Sequence, residues 1–279
     1  MEPDTALSII IPANNEAAMI ADCLLHVLAS DGPSRAQIIV AANGCTDQSV
    51  AIAKSFVTTA THRDWQLVVL DLEEGNKLTA LNAAEQIATG KSLVYLDADV
   101  TVSPPLLRQI AEALDVDQPR YASGALQFSH SPSLATRLYA RTYARVPFIA
   151  NGLPGAGLFA VNRTGRALWG EFPKIISDDT YVRLLFSPDQ RVRVEAPYQW
   201  PLVDGFSNLV RVRRRQNAGV EEIAQLYPEL LQNDDKLPVT RLQMLKLALR
   251  NPISFCVYAS VQLIVKLRPA QSKAWQRGR

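Results

Sequence analysis

Leu7-Ser8-Ile9-Ile10-Ile11-Pro12-Ala13-Asn14-Asn15-Glu16 is the stretch of this 279-residue chain that decides its fold. A continuous apolar run is closed by Pro12, a polar loop follows it, and a helical pattern begins near Ile20. Apolar runs of this length are typical of strands that are buried on both faces of a sheet. The order of strand, polar loop and helix therefore predicts the first unit of an α/β protein.

The same order recurs further along the chain. Ile38–Ala42 is followed by the polar loop Asn43–Asp47 and by a predicted helix near residues 48–57, and two more strands are predicted at Leu67–Leu70 and Ser92–Tyr95. Strands that alternate with helices form a mostly parallel, Rossmann-like central sheet with helices on both faces. Ligands of such sheets bind beyond the carboxyl ends of the strands, which is where these polar clusters lie.

Two carboxylates, those of Asp97 and Asp99, come directly after the last of these strands. Positions i and i+2 share one face of a strand, so both carboxylates can converge on one hard cation. Oxygen ligands favour Mg²⁺ or Mn²⁺ over zinc, and one or two carboxylates suffice when substrate phosphates complete the coordination. The pair therefore predicts a metal-diphosphate site, with acids of a turn or a helix cap as the alternative interpretation.

The composition indicates a folded protein with a sizeable core. Hydrophobic residues make up 48% of the chain, which suits one large domain or two fused halves. Three cysteines, Cys23, Cys45 and Cys256, are far apart and odd in number, which favours neither a disulfide framework nor a zinc site. The start of the chain, Met1–Asp4, lacks the features of a signal peptide, so a reducing cytoplasm is the predicted compartment.

Charge is unevenly distributed along the chain. The formal net charge is only +2, yet nine Lys or Arg and no acidic residue follow Asp235, whereas residues 1–235 carry 20 basic and 27 acidic residues. We call the basic C-terminal part of the chain the tail. Its basic residues alternate with apolar stretches, a pattern that suits anionic lipid better than nucleic acid. A membrane surface is therefore the predicted partner of the tail, and nucleic acid is not.

Two segments of the tail are predicted to be helices. Leu242, Leu245 and Leu249 share one face of segment 241–250, whereas segment 253–267 is apolar around most of its circumference. The second segment is too short to span a bilayer, which needs about 20 apolar residues. We interpret both as interfacial helices on the inner face of the cytoplasmic membrane, with a docked core helix or a dimer contact as the alternative. Contacts with lipid headgroups are also expected of the last basic and aromatic residues, Lys273, Trp275, Arg277 and Arg279.

Four motifs in order resemble those of glycosyltransferase family 2, the nucleotide-sugar transferases with the GT-A fold. They are Ser8–Glu16, Ala42–Asp47, Gly75–Asn82 and Asp97-Ala98-Asp99, and the resemblance runs from about Ser8 to Gly219. They are similar to the family's opening strand with Pro-x-x-Asn-Glu, its second loop, its Gly-Lys-x-x-Ala-Leu-Asn segment and its acidic motif. The resemblance implies a GT-A domain over residues 1–219, with a nucleotide-sugar-binding half (1–100) and an acceptor-side half (101–219). A basic helical extension (220–279) would follow it.

The resemblance implies an inverting glycosyltransferase that uses Mg²⁺ or Mn²⁺. Such an enzyme moves a sugar from a nucleoside-diphosphate sugar to a hydroxyl group of a glycan or lipid-linked acceptor. A metal held by Asp99 and Asp97 would neutralise the leaving diphosphate, and a carboxylate would take the proton of the acceptor hydroxyl. One direct displacement at the anomeric carbon inverts its configuration.

The resemblance also implies which residues bind the nucleotide. Pro12 is expected to end the first strand so that the following loop turns over the nucleotide, and Asn14, Glu16 and Asn43 are expected to donate or accept hydrogen bonds at the base and ribose. Lys77 follows a Gly-Asn turn and opens a helix, where a cation and free N–H groups suit a phosphate. The alternatives are helix capping by the Asn-Asn-Glu loop and a solvated surface lysine.

Residues further along the chain resemble the acceptor side of the family. Gly155 and Gly157 are similar to a glycine-rich strand at which backbone approaches a sugar closely, although a purely structural turn is the alternative. Asp178 and Asp179 precede a helical stretch and resemble the family's acidic pair, whose second member is the catalytic base. The resemblance thus implies catalytic roles for the pair, with Asp179 as the base. Helix capping is the alternative interpretation.

The basic run Arg211-Val212-Arg213-Arg214-Arg215 falls where relatives have a mobile Arg-rich segment that closes over the diphosphate. Arg213 and Arg214 are therefore expected to bind the nucleotide sugar, with a solvated face or a lipid-headgroup contact as the alternative. The run lacks the Gln-x-x-Arg-Trp pattern of processive polysaccharide synthases, which favours addition of a single sugar. Many relatives carry, at the position of Ala42, an Asp that contacts the nucleotide base. The identity of the nucleotide base therefore stays open here, and Asn43 is expected to make that contact in place of the Asp.

Two other functions are compatible with the same fold. A sugar nucleotidyltransferase normally has a Gly-rich loop with Arg after the first strand, and this chain has Asn14-Asn15-Glu16 there instead. A non-catalytic scaffold that binds a nucleotide or lipid would not need the acids that this chain retains. The sequence therefore favours an enzyme over both.

Overall fold

The computed structural model describes residues 5–267 of the chain. Within them the predicted α/β architecture with a central sheet and flanking helices is confirmed. The expectations for Met1–Asp4 and for the stretch that holds Lys273, Trp275, Arg277 and Arg279 lie outside the described residues.

Eight strands among residues 5–267 form one sheet, in the order β3-β2-β1-β4-β7-β6-β8-β5. β1 lies inside the sheet and is buried at every position, as its apolar run predicts. The strands are β1 (Leu7–Ala13), β2 (Ala36–Asn43), β3 (Gln66–Leu72), β4 (Ser92–Leu96), β5 (Thr101–Val102), β6 (Tyr121–Phe128), β7 (Leu158–Asn162) and β8 (Arg191–Trp200).

The sheet has a parallel half and an antiparallel half. β2 and β4 flank β1 in parallel, and β3 continues the parallel order beside β2. β7 then runs antiparallel to both β4 and β6, and β5 runs antiparallel to β8. The carboxyl ends of the four parallel strands therefore meet at one edge, which is the edge where the sequence predicts a ligand.

Helices follow the parallel strands, and the apolar spacing of their sequences determines which face each one buries. The first helix buries Ile20, Cys23, Leu24 and Val27 along one side. The helix predicted near residues 48–57 is two helices, separated at Phe56. The helices are α1 (Ile20–Leu28), α2 (Ser49–Ser55), α3 (Val57–His62), α4 (Lys77–Gln86), α5 (Leu106–Leu114), α6 (Leu134–Tyr143), α7 (Pro147–Ala150), α8 (Arg163–Arg166), α9 (Asp178–Leu185), α10 (Phe206–Leu226), α11 (Arg241–Arg250) and α12 (Pro252–Leu267).

Pro12 does not end the first strand, contrary to the sequence prediction. β1 continues to Ala13, and Pro12 pairs with Ala41 of β2. The pairing of β1 with β4 stops earlier, at Ile10 and Tyr95. Pro12 therefore lies where the strand has lost its second neighbour, a position at which the missing N–H is tolerated.

The chain divides into two compact units. Of the described residues, the first unit contains 5–125, Gly155–Lys174 and Phe186–Trp200, and the second contains Leu126–Pro154, Ile175–Leu185 and 201–267. This division by packing differs from the sequence division at residues 219 and 220, since that boundary falls inside α10. The described part of the tail belongs to the same unit as segments from the middle of the chain.

The second unit has its own apolar core, in which α12 takes part. Tyr258, Val261 and Val265 of α12 are buried in this core together with Tyr139 and Tyr143 of α6. Segment 253–267 is thus a docked core helix, the alternative that the sequence left open. α11 is different, because none of its residues is buried.

None of the helices among residues 5–267 is both long enough and apolar enough to cross a bilayer.

Candidate active site

Asn15 joins the loops that follow β1 and β2. Its backbone has a positive φ of 54°, and its side-chain Oδ1 accepts hydrogen bonds from the N–H groups of Thr46 (2.7 Å) and Asp47 (3.2 Å). The carbonyl of Glu16 accepts from the N–H groups of Met19 and Ile20 (both 2.9 Å) at the start of α1, whose N-cap residue, Met19, makes no side-chain cap bond. The loop also forms one half of a two-loop rim at the carboxyl ends of β1 and β2.

Asn43 and Asn14 hold the same two loops together from the inside. Asn43 is buried, and its amide Nδ2 donates to the carbonyls of Ala13 (3.0 Å) and Ala41 (3.1 Å). The side chain of Asn14 donates to the carbonyl of Asn43. The amide hydrogens of Asn43 are therefore used by the protein itself, and its expected contact with a base or ribose stays a prediction.

Lys77 lies at the first position of α4, as its sequence context predicts. The preceding Asn76 caps the helix, since its Oδ1 accepts from the N–H groups of Leu78 (3.0 Å) and Thr79 (3.3 Å). The Nζ atom of Lys77 is 3.0 Å from Oδ1 of Asp97. The structure thus brings together two of the residues that the sequence assigned to phosphate and metal.

A buried polar network holds the other end of α4 against the sheet. Glu85 accepts hydrogen bonds from the hydroxyl of Tyr95 on β4 and from the guanidinium of Arg166. Burial, reinforced by the charge of Glu85, raises the pKa of Tyr95 well above its ordinary value, so this hydroxyl stays a donor. α4 is therefore attached to β4, the strand that leads into the acidic pair.

Asp97 begins a turn that carries Asp99. Its N–H donates to the carbonyl of Gly157 (2.9 Å), and its carbonyl accepts from the N–H of Val100 (3.1 Å). Both carboxylates offer the hard oxygen ligands that Mg²⁺ and Mn²⁺ prefer. Among residues 5–267 no cluster of three or more His, Cys, Asp or Glu is found that could hold a metal by itself. The oxygen donors of Asp97 and Asp99 suit such a cation, and the binding of a metal by them stays a prediction.

Cys23 lies under this turn, a position that the sequence did not reveal. It is buried on α1, with its Sγ atom 3.9 Å from the carbonyl oxygen of Asp97. Burial, reinforced by the nearby carboxylates of Asp99, Asp22 and Asp97, raises the pKa of the thiol above its ordinary value. The thiol of Cys23 thus contacts the backbone of the turn that carries the acidic pair.

Gly155 and Gly157 both adopt positive φ angles, of 67° and 75°. A Cβ atom at Gly155 would be 2.1 Å from the hydroxyl oxygen of Tyr121, and one at Gly157 would be 2.7 Å from the ring of Trp200. Both glycines are therefore required by the packing of the first unit. Their expected approach to an acceptor sugar stays a prediction.

The acidic pair of the second unit stands at the start of α9. Asp178 is buried, and Oδ1 of Asp179 accepts from the N–H of Thr180 (2.7 Å). The residues just before the pair are held by α10, because Ile176 N–H donates to Oε2 of Glu222 (2.8 Å). The helix start predicted from the sequence is thus present. An anionic side chain in this first turn also stabilises the helix.

A buried guanidinium anchors the same helix, a role that no pattern in the sequence predicts. Arg183 of α9 is 3% exposed and donates to Asp235 (2.8 Å) and Asp234 (2.7 Å), which precede α11. Asn233 adds a hydrogen bond from its Nδ2 to the carbonyl of Leu184 (2.9 Å). We call residues 233–235 the strap. It fastens the chain before α11 to the helix that carries the acidic pair.

Arg213 and Arg214 point to partners within the second unit. The guanidinium of Arg213 donates to the hydroxyl of Tyr143 (2.8 Å) and to Gln216 (2.9 Å), and it lies 5.0 Å from the centre of the Tyr143 ring. Arg214 reaches the carbonyl of Ile264 on α12 (3.5 Å). The alternative interpretation of the basic run as a solvated face does not apply to Arg213, because its guanidinium bonds to Tyr143 and Gln216. Binding of a diphosphate by either residue stays a prediction.

Comparison with known sequences supports the resemblance seen in the motifs. A family-wide sequence profile described as "Glycosyl transferase family 2" matches residues 8–158, just over half of the chain. Glycosyltransferase AglE of Haloferax volcanii is 26% identical over 125 residues, which are 44% of this chain and 40% of that protein. The match with this curated relative thus spans less than half of its length.

Solved structures share the architecture over nearly the whole chain. Mannosyltransferase PcManGT from Pyrobaculum calidifontis, in complex with GDP-Man and Mn²⁺, has a TM-score of 0.56 at 19% identity, over 96% of this chain and 77% of that chain. Residues 1–349 of TarS from S. aureus, in complex with UDP-GlcNAc, give 0.52 at 13% identity, over 96% and 93%. Mannosyl-3-phosphoglycerate synthase from Rubrobacter xylanophilus gives 0.51 at 18% identity, over 84% and 79%. At these identities the likeness is one of fold.

Proposed function

Because this chain belongs to glycosyl transferase family 2 and is therefore a glycosyltransferase, we propose that it moves a sugar from a nucleoside-diphosphate sugar to a hydroxyl group of a glycan or lipid-linked acceptor. Nucleotide sugars bound to structural relatives support this class of donor. The observation that carries the proposal is the 3.0 Å contact between Lys77 and Asp97, next to Asp99, at the carboxyl edge of the parallel strands. Ligands of α/β sheets bind at that edge.

The diphosphate of the donor would bind at this group of charges. Lys77 offers an ammonium group at the N-terminus of α4, where the positive end of the helix dipole also favours an anion. When bound, Mg²⁺ or Mn²⁺ on Asp97 and Asp99 would supply further positive charge to the leaving diphosphate. The nucleoside would lie against the rim formed by the ends of β1 and β2, with Pro12 and Asn43, and by the loop after β1, with Asn14 and Glu16.

Chemistry at the acceptor requires a base, and we assign this role to Asp179, with Asp178 beside it. The carboxylate would take the proton of the acceptor hydroxyl while that oxygen forms a bond to the anomeric carbon. The bond from the anomeric carbon to the diphosphate oxygen breaks in the same step, so the configuration inverts. Gly155 and Gly157 would lie on the acceptor side.

In this proposal, Arg213 and Arg214 bind the diphosphate only after a rearrangement. Their present hydrogen bonds go to Tyr143, Gln216 and Ile264, so either guanidinium must leave these partners before it can reach a diphosphate. We propose that they bind the donor only if α10 rearranges.

We further propose that the enzyme is cytoplasmic and peripheral on the inner face of the cytoplasmic membrane. The tail supports this, since Lys and Arg but no Asp or Glu follow Asp235. Nucleic acid is not a proposed partner.

Calorimetric titration of UDP-, GDP- and dTDP-sugars, with and without Mn²⁺ or Mg²⁺, tests the donor site. We expect one donor class to bind in a metal-dependent way and Asp99→Asn to weaken that binding about 100-fold. Asp117→Asn, at an exposed carboxylate of the same unit, is the matched control. If no donor binds with either metal, the proposed donor site is wrong.

Turnover with the donor found in this way tests the base. Asp179→Asn is expected to lower kcat by about 10³-fold while the affinity for the donor stays unchanged, because the base acts only on the acceptor hydroxyl. The anomeric configuration of the product, read by NMR, should be opposite to that of the donor. Retention of configuration would contradict the single displacement.

A further inference from the structure

α11 carries a row of exposed leucines on one face. Leu242, Leu245 and Leu249 are 60%, 54% and 72% exposed, and positions i, i+3 and i+7 of a helix lie on the same side. We call these three residues the leucine stripe. Single exposed leucines are ordinary, but a row of three along a helix without any buried residue leaves an apolar face that water solvates poorly.

Basic residues border the leucine stripe on both sides. With about 100° between successive residues, Arg241 and Lys246 project roughly 70° to either side of the stripe, and Arg250 lies beyond Lys246. All three are exposed, and neither α11 nor α12 contains an acidic residue. A cation at the first position of a helix is unfavourable for the helix dipole, so the position of Arg241 is not explained by the stability of α11.

A second apolar surface lies on the side of α11 that faces away from the leucine stripe. A groove of about 570 Å³ lies along α12 there, and its lining includes Met244 of α11, Phe255, Ala259, Leu263 and Lys266. The opposite face of α12 is buried in the core of the second unit through Tyr258, Val261 and Val265. α12 therefore acts as a rigid support that holds α11 with its leucines outward.

The charges decide which partner fits this surface. In a two-fold dimer each subunit uses the same patch, so the basic residues beside the stripe would face copies of themselves without any carboxylate from α11 or α12 to pair with. A bilayer with anionic lipids instead accepts the leucines among its acyl chains and pairs its phosphates with the lysine and arginine side chains.

We propose that α11 lies in the plane of an anionic phospholipid surface, with the leucine stripe in the acyl region and Arg241, Lys246 and Arg250 at the phosphates. This deepens the membrane contact proposed above and rests on that proposal. The proposal assigns the lipid contact to α11 rather than to both tail helices, because one face of α12 is buried in the core of the second unit, whereas α11 has no buried residue.

Co-sedimentation of the full chain with vesicles tests the assignment. We expect binding to vesicles of phosphatidylcholine with phosphatidylglycerol, and a fall in the partition coefficient of about 30-fold or more in the triple variant Leu242→Ser/Leu245→Ser/Leu249→Ser. Arg241→Gln/Lys246→Gln is expected to lose about tenfold on the anionic vesicles and little on phosphatidylcholine alone. Leu25→Ser/Leu168→Ser, at two exposed leucines of the first unit, is the matched control and should bind like the unchanged protein.

Labelling of a thiol placed in the stripe gives a second readout that does not depend on sedimentation. Cys23 is buried, so Cys45→Ser and Cys256→Ser remove the more accessible thiols. In that background, anionic vesicles should slow the reaction of a Leu245→Cys variant with a maleimide, and adding Leu242→Ser/Leu249→Ser should abolish that protection.

Three results would overturn the inference. They are equal vesicle binding by the triple variant and the unchanged protein, absence of binding to either kind of vesicle, and a dimer of the unchanged protein, seen by light scattering, that the triple variant abolishes. Donor binding, measured separately, is expected to be the same in the leucine variants and in Arg241→Gln/Lys246→Gln as in the unchanged protein. A failure of the membrane assignment is thus distinguishable from a failure of the proposed transferase site.

Discussion

At the scale of single residues, the first unit uses its polar side chains in two different ways. Asn43 and Asn15 bond to backbone groups and give the rim its shape. Lys77 and Asp97 are each about one third exposed and contact one another, so both remain accessible to a charged ligand. Substitutions in the first group should therefore change stability, whereas those in the second should change binding.

Lys77→Gln tests the second group. Partly exposed ion pairs contribute about 0–1 kcal/mol to folding, so the melting temperature should hardly change. Binding of the nucleotide sugar should weaken about tenfold, because an ammonium group beside the diphosphate is lost. Calorimetry measures the affinity, and Lys54→Gln, at an exposed lysine of α2, is the control. An unchanged donor affinity would mean that Lys77 is a surface lysine.

Asn43→Ala tests the first group. The change leaves the carbonyls of Ala13 and Ala41 without the donor that the buried amide provides. We expect the free energy of unfolding to fall by about 2 kcal/mol, as measured by urea denaturation. Asn208→Ala, at an exposed asparagine of α10, should cost much less. Equal costs for the two variants would show that the buried amide does not hold the rim.

At the scale of elements, the strap connects α9 with the chain that leads to α11. The buried guanidinium of Arg183 is its centre, and both of its carboxylate partners are partly exposed. Burial alone would raise the pKa of Asp234, but the hydrogen bond and the charge of Arg183 outweigh it and leave that pKa below its ordinary value. The strap should therefore respond to acid.

Asp234→Asn tests this pH dependence. A carboxyl group whose pKa is lower in the folded than in the unfolded chain stabilises the fold above its ordinary pKa of 3.8, and it loses this effect as the pH falls through the lower folded value. The unchanged protein should thus be more stable than the variant at neutral pH, and the difference should shrink below a pH of about 4. Urea denaturation across this pH range measures it.

The control for the strap is Asp117→Asn, which changes an exposed carboxylate of the first unit. Its stability difference from the unchanged protein should be small at every pH. A difference for Asp234→Asn that stayed constant into acid would show that the charge of Asp234 does not contribute to the strap.

At the scale of the whole molecule, the described tail is a structural part of the second unit. α12 fills the core between aromatic residues of α6 and apolar residues of α10, while α11 remains at the surface. Both helices carry exposed apolar side chains, yet α12 buries one face in the core, whereas α11 buries none of its residues.

Val261→Ser and Leu263→Ser form a matched pair on α12. Val261 is fully buried, so a hydroxyl group and a cavity at this position should lower the free energy of unfolding by about 3 kcal/mol. Leu263 is 57% exposed, so the same kind of change should cost less than about 0.5 kcal/mol. Urea denaturation compares the two. Similar small costs would mean that α12 is not part of the core.

The sequence by itself determined the strands and helices of the parallel half, the position of Lys77 at a helix start, and the acidic pair after β4. Each of these depends on neighbours along the chain, through the spacing of apolar residues and the loops between them. The tertiary structure alone decided that Pro12 continues its strand, that Arg213 contacts Tyr143, that Arg183 anchors the strap, and that α12 is covered while α11 is not. An apolar or charged pattern specifies which face of a segment needs a partner. The partner itself comes from residues far away in the sequence, and only packing in three dimensions selects it.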